Sequence, residues 1–297
     1  MTFKNLFHPD KVYLLDVLHG LTNLPPQYAN VIIFDPPYNI GKDFGNNFDN
    51  LDFTDYLEWA DKWIKQGIRV LNDSGTMYIY GFSEILAHIF VRINLPKRWL
   101  VWHYTNKNSP KNFFWQRSHE SIIAVWKDTD KRIFNLDAVR EPYTDVFLKN
   151  AAGKERAATP GRFSHGNKKT IYTAHENGAL PRDVIKVSAL AGGAGRVERF
   201  FYCDTCENIF MLENKGDHKE HKIIEHPTQK PTELTKKLLL ASKPSEGGKV
   251  VVPFAGTGSE LYIAKKLGME AIGFEINEDY YCMSNLLIQK GFPNGKI

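Results

Sequence analysis

Four consecutive apolar residues, Val31-Ile32-Ile33-Phe34, end abruptly in Asp35-Pro36-Pro37-Tyr38. A short run with no polar break suits a strand buried on both faces, the kind found in parallel sheets covered by helices. A carboxylate at the carboxyl end of such a strand stands where open α/β sheets place their ligands. Two successive prolines fix φ twice and remove two N–H donors, so their carbonyls are expected to face out, stiff and free of any ladder. Carboxylate, rigid carbonyl and aromatic face side by side make a receptor for a flat, amino-bearing ring. Taken alone, the tetrapeptide is equally compatible with a simple strand-end turn.

Strand and helix signals alternate around this run. Strands are expected over 12–15, 76–80, 99–103 and 121–126, with Asn72-Asp73-Ser74-Gly75 as the turn into the second of them. Tyr56, Ala60, Trp63, Ile64, Gly67, Ile68 and Leu71 recur at helical spacing. Ser83 is the expected cap of a further helix, and the Gly/Asn/Asp-rich stretch 39–50 reads as a loop. Between 127 and 225 the periodicity lapses, and Lys154, Arg156, Arg162, Lys168, Lys169, Arg196 and Arg199 accumulate. This segment reads as an insertion that separates 1–126 from 226–297. Regularity resumes with a helix over Thr232–Ser242, a strand over Lys249–Val252, and the loop Pro253-Phe254-Ala255-Gly256-Thr257-Gly258-Ser259. A helix to Leu267, a strand over 271–274 closed by Glu275, and a helix over 279–290 complete the chain. The alternation predicts an α/β protein with a parallel sheet.

Strand, Phe-x-Gly-x-Gly, helix, strand and acid is the layout of a nucleoside-binding βαβ unit. Glycines let the backbone approach a ligand, and an acid ending the next strand accepts from ribose hydroxyls. Glu275 follows the two glycines by 19 and 17 positions, near the spacing of about 20 typical of that acid. The third glycine of a dinucleotide loop is absent at Leu261, and no Gly-Lys-Ser/Thr follows as in a phosphate loop. The loop therefore fits a ligand with a ribose and no pyrophosphate, such as S-adenosylmethionine. A tight turn dictated only by packing is the other reading.

Asp35-Pro36-Pro37-Tyr38-Asn39, His226-Pro227-Thr228-Gln229-Lys230-Pro231 and Pro253-Phe254-Ala255-Gly256-Thr257-Gly258 together resemble the motifs of the amino-group DNA methyltransferases. These enzymes methylate adenine N6 or cytosine N4, and the catalytic motif here precedes the cofactor loop, as in their β-type order. The resemblance covers about 1–126 and 226–290. It implies a Rossmann-like S-adenosylmethionine-dependent methyltransferase sheet with an inserted target-recognition domain at 127–225. It implies DNA as partner, a restriction-modification setting, and pairing into a homodimer, as relatives of this type often do. By the same resemblance Asp35, Pro36, Pro37 and Tyr38 are catalytic, with Asp35 and the Pro36 carbonyl accepting from the target amine and Tyr38 stacking on the base. Phe254, Gly256, Thr257, Gly258 and Ser259 would line the cofactor, along with Asp35, and Glu275 would take its ribose. Thr228 and Lys230 would lie near its carboxylate and Asp16 near its adenine. Residue by residue, Asp16 is equally a strand-end turn residue and Lys230 equally a solvated lysine. One position departs from the family, which has an acid where Val252 stands.

In the family that the chain resembles, aspartate rather than serine at the position of Asp35 tends to go with adenine, with cytosine N4 the alternative. Methylation at cytosine C5 would need a nucleophilic cysteine after a proline, and none of Cys203, Cys206 or Cys282 follows one. Two other classes compete: a zinc-containing DNA-binding protein that uses the sheet only as a scaffold, and a methyltransferase acting on RNA or a small amine.

The net charge of +4 is compatible with nucleic acid without requiring it. With no apolar run of membrane-spanning length and no secretory signal, a cytoplasmic protein is expected. Three cysteines argue against a disulfide framework. Two of them belong to Cys203-x2-Cys206-x11-His218-x2-His221, near the spacing of a Cys2His2 zinc site but with a short His–His interval. The cluster reads either as a structural zinc site or as two buried thiols with two solvated histidines.

Overall fold

The run 31–34 becomes the end of strand β2 (Ala29–Phe34), with no solvent reaching any of its four side chains. Val31 and Ile33 face one apolar layer while Ile32 and Phe34 face the other, as the two-residue period of a strand requires. The structure is a computed structural model describing residues 6–42, 44, 49–106, 113–157, 160–161, 166, 169–295 and 297. Arg162 and Lys168 of the basic surplus, and positions 43 and 45–48 of the expected loop, lie outside the described residues.

In chain order the elements are β1 (Lys11–Leu14), α1 (Val17–Thr22), β2, α2 (Phe53–Val70), β3 (Leu71–Gly81), α3 (Ser83–Arg92), β4 (Lys97–His103) and β5 (His119–Val125). Then come α4 (Asp145–Asn150), β6 (Glu155–Ala157), β7 (Lys169–Ile171), β8 (Val184–Lys186), α5 (Gly192–Glu198), β9 (Phe200–Cys203), β10 (Asn208–Met211) and β11 (Ile223–Ile224). The chain closes with α6 (Thr232–Ser242), β12 (Lys249–Val252), α7 (Ser259–Lys266), β13 (Glu270–Glu275) and α8 (Glu278–Lys290).

Eight strands form the central sheet in the order β1-β13-β12-β2-β3-β5-β4-β8. The first five are mutually parallel, so the carboxyl ends of β1, β13, β12 and β2 share one edge. The expectation of a wholly parallel sheet is corrected at β5, which runs antiparallel to both β3 and β4. The reason is the connection: no crossover helix stands between β4 and β5 among the described residues, and strands joined without one pair antiparallel. The reversal brings the amino end of β5, with Glu120, to the edge where Asp35 sits. Two local expectations also change. Asn72–Gly75 is not a turn but part of β3, accommodated by a register shift against β2 between Ala29 and Val31. Ser83 is the first residue of α3, not its cap, and its hydroxyl meets Ser121 Oγ at 2.8 Å.

Helix α2 shows how the sheet is covered. Asp52 caps it by accepting from the Thr54 N–H at 2.8 Å, and Tyr56, Ala60, Trp63, Ile64 and Gly67 face inward. At Gly67 a Cβ would lie 2.8 Å from the Phe34 ring and 3.0 Å from Met77 Sδ. Gly67→Ala therefore sets a gain in helix propensity of about 1 kcal/mol against an overpacking cost of about 1–3 kcal/mol. A net loss of stability is expected, read as a lower midpoint in denaturant unfolding.

The chain divides into one unit comprising Met1–Phe134 and Asp183–Ile297 and a second comprising Asn135–Arg182. The separate unit is thus smaller than the insertion expected at 127–225. Residues 183–225 belong with the sheet because β8 pairs with β4, and because Phe200, Tyr202, Ile209 and Met211 enter the core layer beneath α8. Within the smaller unit β6 and β7 pair antiparallel, and Lys169 Nζ lies 2.9 Å from Glu155 Oε1. Among the described residues no helix is long and apolar enough to cross a membrane.

Candidate active site

Parallel strands put Asp16 (after β1), Asp35 (after β2), the glycine loop (after β12) and Glu275 (ending β13) along one edge. A single cleft there is lined by Asp16, Asp35, Pro36, Pro37, Tyr38, Thr228, Lys230, Phe254, Gly256, Thr257 and Glu275. The two motifs farthest apart in the catalytic unit therefore open into one cavity. Gly258 and Ser259 do not line it. A Cβ on Gly258 would lie 2.8 Å from Ser284 Cβ, so this glycine serves the approach of α8. Ser259 is buried with its hydroxyl on Glu260 Oε2 at 2.9 Å.

Asp35 anchors a buried charge cluster. Its Oδ2 accepts from Lys230 Nζ at 2.6 Å and its Oδ1 from the Tyr38 hydroxyl at 2.8 Å. The same hydroxyl lies 3.1 Å from Glu120 Oε2, and Lys230 Nζ lies 4.0 Å from that oxygen. Lys230 is only 3% exposed, which removes the reading as a solvated lysine. Burial alone would lower its pKa, but the carboxylates of Asp35 and Glu120 outweigh that and hold it raised. Tyr38 is held well above the phenol range by burial and by the same two carboxylates. Glu260, buried beside this group, is pushed up to about 7 by burial and by Asp35.

The turn after Asp35 is fixed from below. Asn39 adopts φ +58°, and the buried Asp49 carboxylate accepts from the backbone N–H groups of Asn39, Ile40 and Lys42 at 2.7, 3.3 and 2.5 Å. The Pro37 carbonyl, free of any strand ladder, accepts from the Tyr56 hydroxyl at 2.8 Å. Pro36 is left as the proline whose carbonyl suits an incoming N–H donor.

On the other side of the cleft, Glu275 Oε2 accepts from the Gly256 N–H at 2.8 Å, and Oε1 from the N–H groups of Ile276 and Asn277 at 2.9 Å each. A carboxylate oxygen offers two acceptor positions, so Oε1 is filled by its two N–H donors and Oε2 retains one for a hydroxyl. Phe254 is seated edge-on against Trp59 and Trp63, at 5.7 and 5.9 Å between centroids. Asp16 caps α1 through the Leu18 N–H at 2.9 Å, as a strand-end turn residue does, and it also lines the cleft. His226 accepts from the Thr228 N–H through Nδ1 at 3.3 Å, which leaves Nε2 as the protonated nitrogen of a neutral ring. Burial, then the charges of Lys230, Lys42 and Arg199, push its pKa down to about 3.

Glu120, Glu260 and His226 escaped the sequence reading. Glu120 precedes the apolar run 122–125, but only the reversed direction of β5 aims it at Asp35. Glu260 looks like an ordinary acid in the first turn of a helix, where acids are common for reasons of the helix dipole. His226 lies inside a quoted motif, yet nothing in its spelling marks it as a neutral ring lining the cleft. Cys203, Cys206, His218 and His221 do come together, away from the cleft lining.

A family model described as DNA methylase, N6_N4_Mtase, matches residues 29–286. The chain belongs to this family, the amino-group DNA methyltransferases, with the motifs in β-type order. Type II methyltransferase M.HpaI of Haemophilus parainfluenzae is 29% identical over 284 residues, covering 93% of this chain and 73% of that protein. DNA adenine methyltransferase YhdJ of Escherichia coli K12 is 28% identical over 271 residues, covering 90% and 79%. Among solved structures, the PvuII DNA methyltransferase (cytosine-N4-specific) superposes with a TM-score of 0.61 at 13% identity, covering 94% of this chain and 88% of that one. M1.HpyAVI in complex with SAM gives 0.50 at 20%, covering 92% and 96%. These likenesses establish the methyltransferase fold, an α/β sheet of mixed direction.

Proposed function

We propose that this chain moves the methyl group of S-adenosylmethionine to the N6 amino group of adenine in DNA, within a restriction-modification system. The observation that carries the proposal is the shared cleft, with an acceptor cluster around Asp35 on one side and the Gly256–Glu275 pair on the other. An exocyclic amine is a weak nucleophile because its lone pair is delocalised into the ring. Acceptors at Asp35 and the Pro36 carbonyl would draw on its two N–H groups, favour a tetrahedral nitrogen and stabilise the charge that develops there. The nitrogen would then attack the sulfonium methyl, the N–C bond forming as the C–S bond breaks and the sulfur leaving as a neutral thioether, and the nitrogen would pass its surplus proton to the Asp35 carboxylate or to water. Reaching this site from a duplex requires the base to be flipped out, at a cost of a few kcal/mol. Tyr38 and Phe82, 5.2 Å apart between centroids, offer aromatic surface to such a base.

On the cofactor side, Glu275 would take the ribose hydroxyls and Phe254 the adenosine. Asp16 would reach the adenine, and Thr228 the methionine carboxylate. Lys230 would keep the carboxylate cluster neutralised. Sequence selection falls to the insertion, of which 135–182 is the part compact in itself. Adenine is favoured over cytosine N4 by the aspartate at 35, and the adenine enzyme YhdJ is among the similar proteins.

Reading the modified bases in DNA from cells expressing the protein tests base and sequence context together. N6-methyladenine at one recurrent motif is expected; N4-methylcytosine in its place would overturn the choice of base, and unmodified DNA the proposed activity. Gly256 gives a second check. It sits at φ +49°, and a Cβ there would lie 2.8 Å from His226 Nε2. Strain of about 1–3 kcal/mol in that region makes about tenfold weaker S-adenosylmethionine binding the expected result for Gly256→Ala, measured by calorimetry.

A further inference from the structure

Strand β9 presents two faces. Phe200 and Tyr202 enter the main core, while Phe201 and Cys203 turn outward to a cluster completed by Phe210 and Ile223. That outer cluster is small for a three-stranded sheet of four, four and two residues, and small cores of this kind commonly rely on a staple. We propose that Cys203, Cys206, His218 and His221 bind one zinc ion, which clamps β9 to β11 and so fixes the segment that carries His226–Lys230 into the cleft. The zinc assignment is independent of the proposed activity; its consequence for cofactor binding rests on that reading.

The four donor atoms all lie within 4.8 Å of one another. Cys203 Sγ is 3.4 Å from His221 Nδ1, and Cys206 Sγ is 3.2 Å from the same nitrogen and 3.6 Å from His218 Nδ1. Zn–S bonds of about 2.3 Å and Zn–N bonds of about 2.0–2.1 Å set the sulfur–nitrogen edges of a tetrahedron at about 3.5 Å. The observed edges bracket that value. The Cys206 N–H points at Cys203 Sγ at 3.3 Å, an outer hydrogen bond of the kind that supports a thiolate ligand. The short His-x2-His interval works because the His221 N–H closes a turn on the His218 carbonyl at 3.0 Å, which brings both Nδ1 atoms to one side. The His218 ring is held flat against Phe210, 4.0 Å between centroids and 16° between planes. Two thiolates and two imidazoles in a tetrahedron select zinc over oxygen-loving calcium or magnesium. Loading releases one proton from each thiol.

The clamp reaches the cleft through a short path. His221 immediately precedes Lys222, whose ammonium meets Asp279 of α8 at 3.2 Å and Asp204 at 3.5 Å. β11 then pairs Ile223 with Cys203 and Ile224 with Tyr202, and two residues later the chain is at His226. A bond from His221 to the metal held by Cys203 fixes that register.

Protein purified without chelator from zinc-supplemented cells should carry about one zinc per chain by elemental analysis. Cys206→Ser, at the exposed ligand, should lose it, whereas Cys282→Ser should keep it. Amide exchange across 223–230 should rise at least about tenfold in Cys206→Ser while β2 and β12 keep their protection. If Cys206→Ser does not fold, chelator-stripped wild type supplies the same comparison. Wild type free of zinc, a Cys203–Cys206 disulfide in its place, or zinc retained by Cys206→Ser would overturn the site. Zinc lost with unchanged exchange at 223–230 would overturn the clamp. Neither measurement depends on methyl transfer.

Discussion

Asp35→Ala should lower methyl transfer by about 10³-fold while S-adenosylmethionine affinity changes severalfold at most. Removing one preorganised polar partner of a reacting centre typically costs about 10²–10³ in rate. Here the same carboxylate also orders Tyr38 at 2.8 Å and Lys230 at 2.6 Å, so the loss falls at the upper end. Transfer is read with labelled methyl donor on DNA at saturating cofactor, and affinity by calorimetry. Equal loss in both would assign Asp35 to structure. Asp35→Asn sharpens the result because it keeps the shape and one acceptor while removing the charge. An intermediate rate would apportion the effect between hydrogen bonding and electrostatics.

Lys230→Met should destabilise the protein by about 3–5 kcal/mol, the usual cost of deleting one partner from a buried ion pair. Three carboxylates, those of Asp35, Glu120 and Glu260, would then share a pocket without the cation that faces them. The cost should depend on pH with a definite sign. Glu260 has its folded pKa raised to about 7 from an ordinary value of 4.5, so at pH 5.5 the folded cluster still holds it protonated and uncharged. As pH rises through 7 the folded cluster gains its charge, and the missing ammonium is felt most. Lys230→Met should therefore lose more stability at pH 8 than at pH 5.5, measured by denaturant unfolding. Combining it with Asp35→Asn should return part of the stability, since the paired charges go together, and none of the activity. A pH-independent loss, or activity restored in the double variant, would break the assignment of Lys230 to this cluster.

Much of the edge geometry was legible beforehand. A four-residue apolar run ending in Asp-Pro-Pro-Tyr, and a second strand leading into Phe-x-Gly-x-Gly with an acid one strand later, constrain which ends carry polar residues. Parallel strands then bring those ends together, as Asp16, Asp35, Gly256 and Glu275 show. Gly258 and Ser259 looked equivalent to Gly256 and Thr257 because a motif cannot say which side of a turn faces a ligand. Gly258 answers to α8, an element that begins twenty residues later. That residues 183–225 of the expected insertion pack with the sheet could not be read beforehand, because β8 and β9 are four residues or fewer, too short for any period to emerge.

Local chemistry written in the chain thus determined the class of fold, the two motifs and the kind of ligand they suit, because strand burial, proline rigidity and glycine freedom act over a few residues. Only the tertiary structure decided that β5 runs backward to deliver Glu120, that Lys230 is buried against Asp35 across 195 positions of sequence, and that two cysteines and two histidines converge. Long-range pairings of charge depend on strand direction and on which faces pack together, and no local pattern encodes either.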